Sequence, residues 1–352
     1  MVLRLVETIG PHAPRDYNHC VAVAVALLPV SAFLLLLVVF DSFKLVPTLM
    51  LLRALVAGAV AAVVLLPLHT ALLAATGLTP EAFSRYVAPI TEEALKALCL
   101  LYPLWKRQVG FLVDAAIIGF AIGTGFGLVE NIEYLRELRD VSAWEWIARG
   151  FGTAVLHGTT TAIIAIVAKS LGDRYPGRGF LTVLPGLAVA IVLHSAFNHA
   201  IVSPVLAASM LLFVLPLVVM LVFGQSERKT REWVGDGLDL DVELLALVRS
   251  AHFGTTRLGH YLDELKTRFP GPIVADMFCL LQLDLELAIR VKGMLMARDA
   301  GLQVPVDPAV KDRLAERAYL RRTIGKTGLI ALRPLQMTNA KDDWHEYLLK
   351  NT

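Results

Sequence analysis

The sequence predicts an all-α protein: a polytopic transmembrane helix bundle of about seven spans in residues 1–224, followed by a small soluble helical domain in residues 225–352. Three observations carry this. Of 352 residues, 56% are hydrophobic and 18% charged, and the mean hydropathy is +0.62, far from the makeup of a soluble domain. The charges are unevenly spread: residues 1–224 hold 14 Lys/Arg and 13 Asp/Glu, whereas 225–352 hold 19 and 18 in a much shorter stretch. Finally, apolar runs of about 20 residues, the length that crosses a hydrocarbon core, recur only in the first part.

Seven such runs qualify: Cys20–Phe40, Leu49–Thr76, Val87–Trp105, Phe111–Asn131, Trp146–Lys169, Phe180–Val202 and Pro204–Phe223. The Pro and Gly inside several of them are tolerable in a bundle, where neighbouring helices satisfy the freed backbone groups. The N-terminal segment carries Arg4, Glu7, Arg15 and Asp16, and no convincing small-residue cleavage site follows the first run, so that helix is expected to stay in the mature protein. Beyond Gly224 the pattern becomes helical with charged faces, in Val242–Ser250, Leu258–Phe269 and Ile273–Arg298, punctuated by Pro270, Pro272, Pro305 and Pro308. No Gly-rich phosphate loop or metal-ligand spacing occurs there. A protein partner for this domain is left open.

Each part has a net charge near +1, so nothing marks a nucleic-acid partner. Cys20, Cys99 and Cys279 are too widely spaced for a zinc ribbon, a redox motif or a disulfide framework and read as small apolar fillers. Seven spans with the C-terminus inside place ten Lys/Arg in inner loops and six, including Arg139 and Arg149, in outer loops. The basic bias therefore gives an N-out, C-in orientation.

The strongest signal is the set of ionisable and polar residues inside the spans: Glu92, Glu93, Lys96, Asp114, Glu130, Asn131, His157, His194 and Asn198. Charged groups in hydrocarbon cost several kcal/mol or more, so such residues face a bundle interior and mark a site. In the N-out orientation all but Asp114 fall in the outer half of the bilayer. Residues four apart share a helix face, which pairs Glu92 with Lys96 and turns Glu93 about 100° away; His194 and Asn198 form a second stripe. Asp114 reads as structural, His69 as a marker of the Pro67 kink, and His199 as lying off the stripe. Gly119, Gly123, Gly125 and Gly127 permit close helix packing, expected to bring Glu130 near the third span.

Four elements together resemble one family. Pro89-Ile-Thr-Glu-Glu-Ala-Leu-Lys96 is similar to an EExxK motif, Phe126-Gly-Leu-Val-Glu-Asn131 to FxxxEN, His157 to a single histidine, and His194-Ser-Ala-Phe-Asn198 to HxxxN. In that order they resemble the PrsW family of intramembrane proteases over roughly residues 85–200, distantly similar to the CAAX-processing and bacteriocin-processing proteases. The resemblance implies a bacterial cytoplasmic-membrane peptidase that cleaves a membrane-anchored protein, such as an anti-sigma factor, near the extracytoplasmic face. The implied catalytic set is Glu92, Glu93, Glu130, His157, His194 and Asn198, supported by Lys96 and Asn131.

The residue types allow two mechanisms. The favoured one needs no cofactor: a carboxylate of the Glu92/Glu93 pair activates water, His157 polarises it or donates a proton, and His194 and Asn198 bind the oxyanion. The alternative holds a zinc ion with ligands from His157, His194, Glu93 and Glu130. A proton- or ion-coupled carrier is the reading of another class, against which no inverted repeat is visible. The orientation is directly testable: alkaline phosphatase, active only outside the cytoplasm, is expected to be active when fused after Arg139 and inactive after Lys229. The reverse pattern overturns the N-out assignment.

Overall fold

The computed structural model describes residues 15–41, 43, 45–137, 152–175, 177–199, 204–302, 309–334 and 348–349. These residues form helices and turns, with no strand among them. Ten principal helices follow in chain order: α1 Arg15–Phe40, α2 Thr48–Thr76, α3 Ala88–Trp105, α4 Leu112–Glu137, α5 Ala154–Arg174, α6 Leu184–Asn198, α7 Pro204–Arg249, α8 Arg257–Leu265, α9 Gly271–Asp299 and α10 Ala309–Leu332. A single π-helical turn, Phe83–Val87, leads directly into α3. The expected start of the fifth span at Trp146, the N-terminal charges Arg4 and Glu7, the loop residues Arg139 and Arg149, and Pro305 and Pro308 lie outside the described residues.

Among the described residues, four helical stretches are long and apolar enough to cross a membrane: Val23–Phe40, Thr48–Thr76, Leu112–Arg136 and Ala154–Arg174. The segments expected as third and sixth spans are shorter helices of 18 residues (α3) and 15 residues (α6); α3 also carries Glu92, Glu93 and Lys96. The expected seventh span, Pro204–Phe223, lies within α7, which continues past it to Arg249. Gly224 costs a helix only about 1 kcal/mol, and the polar run after it, Gln225-Ser-Glu-Arg-Lys, is compatible with helix.

The chain divides into two compact units, Met1–Asp41 with Leu45–Ser226, and Ser42–Lys44 with Glu227–Thr352. In the first unit α4 is the central helix, packed most extensively on α5 and α2 and also touching α1. Its burial is nearly complete from Val113 to Gly127. By contrast α1 and α2 expose Leu35, Val39, Val56 and Val60, apolar side chains suited to hydrocarbon.

Glycine makes the α4 contacts this close. A Cβ on Gly123 would overlap the His157 carbonyl, one on Gly119 would lie 2.7 Å from the Thr161 carbonyl oxygen, and one on Gly127 3.1 Å from Ala154 Cα. These three, spaced four apart, form the stripe against α5. Gly125 instead meets the Leu55 carbonyl, and Gly58 of α2 meets the Ile122 carbonyl. The stripe draws α4 onto α5 and α2, and Glu130 comes close to the third span through α5, its Oε2 2.6 Å from His157, whose other nitrogen lies 3.0 Å from Lys96 of α3. At the start of α4, Asp114 Oδ2 accepts the backbone N–H groups of Gly110 and Phe111 at 2.8 and 3.0 Å, which satisfies donors that a helix start leaves orphaned.

The second unit is built around α9, whose Met277, Leu280, Val291 and Leu295 are fully buried and which packs on α10 and α8. Ion pairs at its margins include Lys292 with Asp241 at 2.7 Å and Arg317 with Asp284 at 2.6 Å.

The glycine contacts set a stability test. Gly123→Ala is expected to destabilise the protein by about 1–3 kcal/mol, because the backbone of α5 must move. Gly172→Ala, whose Cβ meets nothing within 4 Å, is expected to be neutral or slightly stabilising; melting midpoints in detergent separate the two.

Candidate active site

Glu93 and Lys96 lie three residues apart on α3, and both side chains are fully buried. Lys96 Nζ donates to Glu93 Oε1 at 2.6 Å. The partner of Lys96 is therefore Glu93, not the Glu92 expected from the i, i+4 spacing; neighbours at i+3 and i+4 are both in reach on a helix, and packing decides between them. Glu93 Oε1 also takes the Thr160 hydroxyl at 3.1 Å and His194 Nδ1 at 2.8 Å. Three helices, α3, α5 and α6, thus meet on one carboxylate oxygen.

The network fixes the imidazole tautomers. An ammonium has only donors, so at 3.0 Å from Lys96 Nζ His157 Nδ1 accepts, and the neutral ring carries its proton on Nε2. That N–H points at Glu130 Oε2 on α4, 2.6 Å away. His194 donates its Nδ1–H to Glu93 by the same logic, leaving its Nε2 lone pair free to face Glu92 Oε2 at 3.8 Å. His157 Nδ1 lies 4.0 Å from that same oxygen. The two rings stand edge to face, with centroids 5.0 Å apart.

Local structure explains why His157 is held so well. Its backbone carbonyl accepts the Thr160 and Thr161 hydroxyls at 3.2 and 2.8 Å, and it lies over Gly123. Phe126 of α4 stacks against the ring at a centroid distance of 5.0 Å and also lies under Lys96 Nζ at 4.9 Å, a cation–π contact in a desolvated place.

Among the described residues one Glu/His group offers ligand atoms to a single metal ion: Glu92, His157 and His194, each buried, with one atom from each within 4.8 Å of the others. Glu93 and Glu130, named with the histidines as alternative ligands, lie instead behind the rings, on His194 Nδ1 and His157 Nε2. The donor set fits zinc in kind. Two imidazoles and a carboxylate are a ligand set of catalytic zinc sites, each ring is oriented by a carboxylate on its far nitrogen, and Glu92 Oε2 is a buried oxygen with no hydrogen-bond partner.

Two residues from the sequence motifs stand apart. Asn198 Nδ2 donates to the Ser84 carbonyl at 2.8 Å, and Asn131 Nδ2 to the Ala26 carbonyl of α1 at 2.7 Å. His69, two residues after Pro67 within α2, pairs with Thr91 of α3 at 2.7 Å. The sequence reading missed Thr160 and Ser195. Thr160 had a signal, lying three residues after His157 on the same helix. Ser195, whose hydroxyl donates to the Arg85 carbonyl at 2.7 Å, had none beyond sitting beside His194.

A Glu–His–His group thus lies buried between apolar helices, with a Lys–Glu pair behind it. Residues 46–224, just over half of the chain, match the PrsW family of intramembrane metalloproteases, and the chain belongs to that family. It is thereby an integral membrane peptidase. No curated protein and no solved structure matches the chain.

The Lys96–Glu93 pair yields a sharp expectation. Lys96→Met leaves a buried carboxylate uncompensated and is expected to cost about 3–5 kcal/mol. Glu93→Gln combined with Lys96→Met is expected to recover most of that loss, because no net charge then remains buried. Denaturation of the wild type and the two variants in detergent tests it; equal stability of the single and double variants contradicts the pairing.

Proposed function

We propose that the chain is an intramembrane endopeptidase that cleaves a membrane-anchored protein near the extracytoplasmic face of a bacterial cytoplasmic membrane. The observation that carries this is the convergence of Glu92, His157 and His194 from three helices, one ligand atom each within 4.8 Å. The proposed architecture is seven spans ahead of Gly224, N-terminus outside, and a cytosolic helical domain after it. In that frame the starts of α3 and α5 and the ends of α4 and α6, which carry the site, fall in the outer leaflet.

Glu92, His157 and His194 would hold a zinc ion, which when bound supplies Lewis acidity and a water acidic enough to attack at neutral pH. The chain's own residues do the rest. Glu93 keeps the His194 lone pair aimed inward, and Glu130 does the same for His157. Glu130, on the far side of the ring from Glu92, accepts the His157 Nε2–H at 2.6 Å and would stabilise positive charge that develops on that imidazole. Gly119, Gly123 and Gly127 keep α5 close enough to α4 for Glu130 to reach His157. The bundle around them excludes bulk water, so each of these interactions acts at low dielectric.

A second reading, without metal, rests on a specific observation: His157 Nδ1, one of the nitrogens a metal would need, already accepts from Lys96 Nζ at 3.0 Å. In it Glu92, whose Oε2 has no partner, is the general base, and a water between that oxygen and His194 Nε2, 3.8 Å apart, would be the nucleophile. Both readings place the chemistry between Glu92 and the two rings.

Cleavage of a co-reconstituted single-span substrate, read on gels, is the test. Glu92→Ala, His157→Ala and His194→Ala are each expected to reduce the rate at least about a hundredfold while the protein stays folded; undiminished cleavage in all three sinks the peptidase site. Metal analysis of the purified protein separates the readings. Stoichiometric zinc that is lost in His194→Ala supports the metal site, whereas cleavage by zinc-free, chelator-treated protein supports the glutamate base.

A further inference from the structure

The polar end of α6 has a contact that the reaction does not use. A π-helical turn pairs each carbonyl with the N–H five residues on, one residue further than the α-helix does, and such turns leave backbone groups poorly served at their margins. In the turn Phe83–Val87 the Ser84 and Arg85 carbonyls both receive side-chain donors from α6. Ser195 Oγ donates to Arg85 at 2.7 Å and Asn198 Nδ2 to Ser84 at 2.8 Å. Tyr86 of the turn stacks edge to face on His199, with centroids 4.9 Å apart.

The turn runs without a break into α3, whose second turn carries Glu92 and Glu93. Ser195 is the residue after His194, which bonds Glu93 at 2.8 Å. Helix α6 therefore grips the α3 segment at two levels, once through the site and once through the turn that precedes it.

We propose that Ser195 and Asn198 are positioning residues of the peptidase reaction: together they clamp the π-helical turn to α6 and so set the distance from His194 to Glu92 and Glu93. Asn198 acts through the Ser84 carbonyl and does not contact the oxyanion. This rests on the peptidase reading above. A shift of about 1 Å in such a constellation is enough to slow a reaction by up to a hundredfold.

The test measures kcat and KM for cleavage of the reconstituted substrate, together with amide hydrogen exchange across residues 83–93, in wild type, Ser195→Ala, Asn198→Ala, the double variant and Ser195→Thr. Each single variant is expected to lower kcat about tenfold with KM unchanged and to speed exchange in the turn. The double variant is expected to be little worse than either single one, since both residues hold one element and their effects do not add. Ser195→Thr, which keeps the hydroxyl, is expected to restore both readouts. Loss of kcat in Asn198→Ala with a wild-type Ser195→Ala means a direct oxyanion role and overturns the clamp, as does unchanged exchange in both. If the wild type cleaves nothing while exchange still rises in the variants, the clamp stands and the peptidase reading alone fails.

Discussion

A carboxylate deep in a membrane bundle is tolerated only beside a cation that is equally well enclosed, and Glu93 meets that condition with Lys96 at 2.6 Å, both side chains fully buried. Removing either charge leaves the other stranded at a cost of several kcal/mol, so the pair constrains everything around it. From Lys96 the constraint passes to His157, whose Nδ1 must accept, and from the other side of that ring to Glu130. From Glu93 it passes to His194 and Thr160. One buried ion pair therefore sets the tautomer and orientation of two imidazoles on two other helices.

Such a network needs its helices at fixed separations. Hydrocarbon offers no hydrophobic drive for helix pairing, so close backbone approach and polar contacts must supply it. The Gly119, Gly123 and Gly127 stripe brings α4 against α5 until a methyl group at Gly123 would collide with the His157 carbonyl. That carbonyl, held by Thr160 and Thr161 as well, leaves the His157 ring little room except between Phe126, Lys96 and Glu130. The packing and the polar chemistry are in this sense one feature: the residues that let the backbones meet are those that put the ring in place.

Much of the site was legible because its ingredients are rare in apolar helices. Glu92, Glu93, Glu130, His157 and His194 stand out against runs of Leu, Val and Ala, and the structure places them at one end of a single unit. What the sequence did not reveal was direction. Core-facing and lipid-facing positions in a membrane are both apolar, so no amphipathic pattern marks a helix face, and the glycines alone do not say which helices they bring together. Helical spacing alone could not choose between Glu92 and Glu93 as the partner of Lys96. Nor does any residue type announce the π-helical turn at Phe83–Val87, whose Ser84 carbonyl accepts from Asn198. Helix α7 runs on past Gly224 to Arg249, because a change in hydropathy gives the backbone no cause to break.

The two adjacent glutamates show how one helix divides labour. Consecutive residues point about 100° apart, so Glu92 and Glu93 address different surroundings. Glu93 spends one oxygen on three donors, from α3, α5 and α6, and is fixed by them. Glu92 faces the gap between His157 Nδ1 and His194 Nε2, at 4.0 and 3.8 Å, and keeps an oxygen without a partner. Glu93 keeps an unpartnered Oε2 as well, so what sets Glu92 apart is its place between two imidazoles, while its neighbour is anchored through Oε1 by three donors. In the proposed reaction Glu92 is therefore the member of the pair that meets the reacting centre, as a ligand or as a base, and Glu93 is the member that holds the centre still.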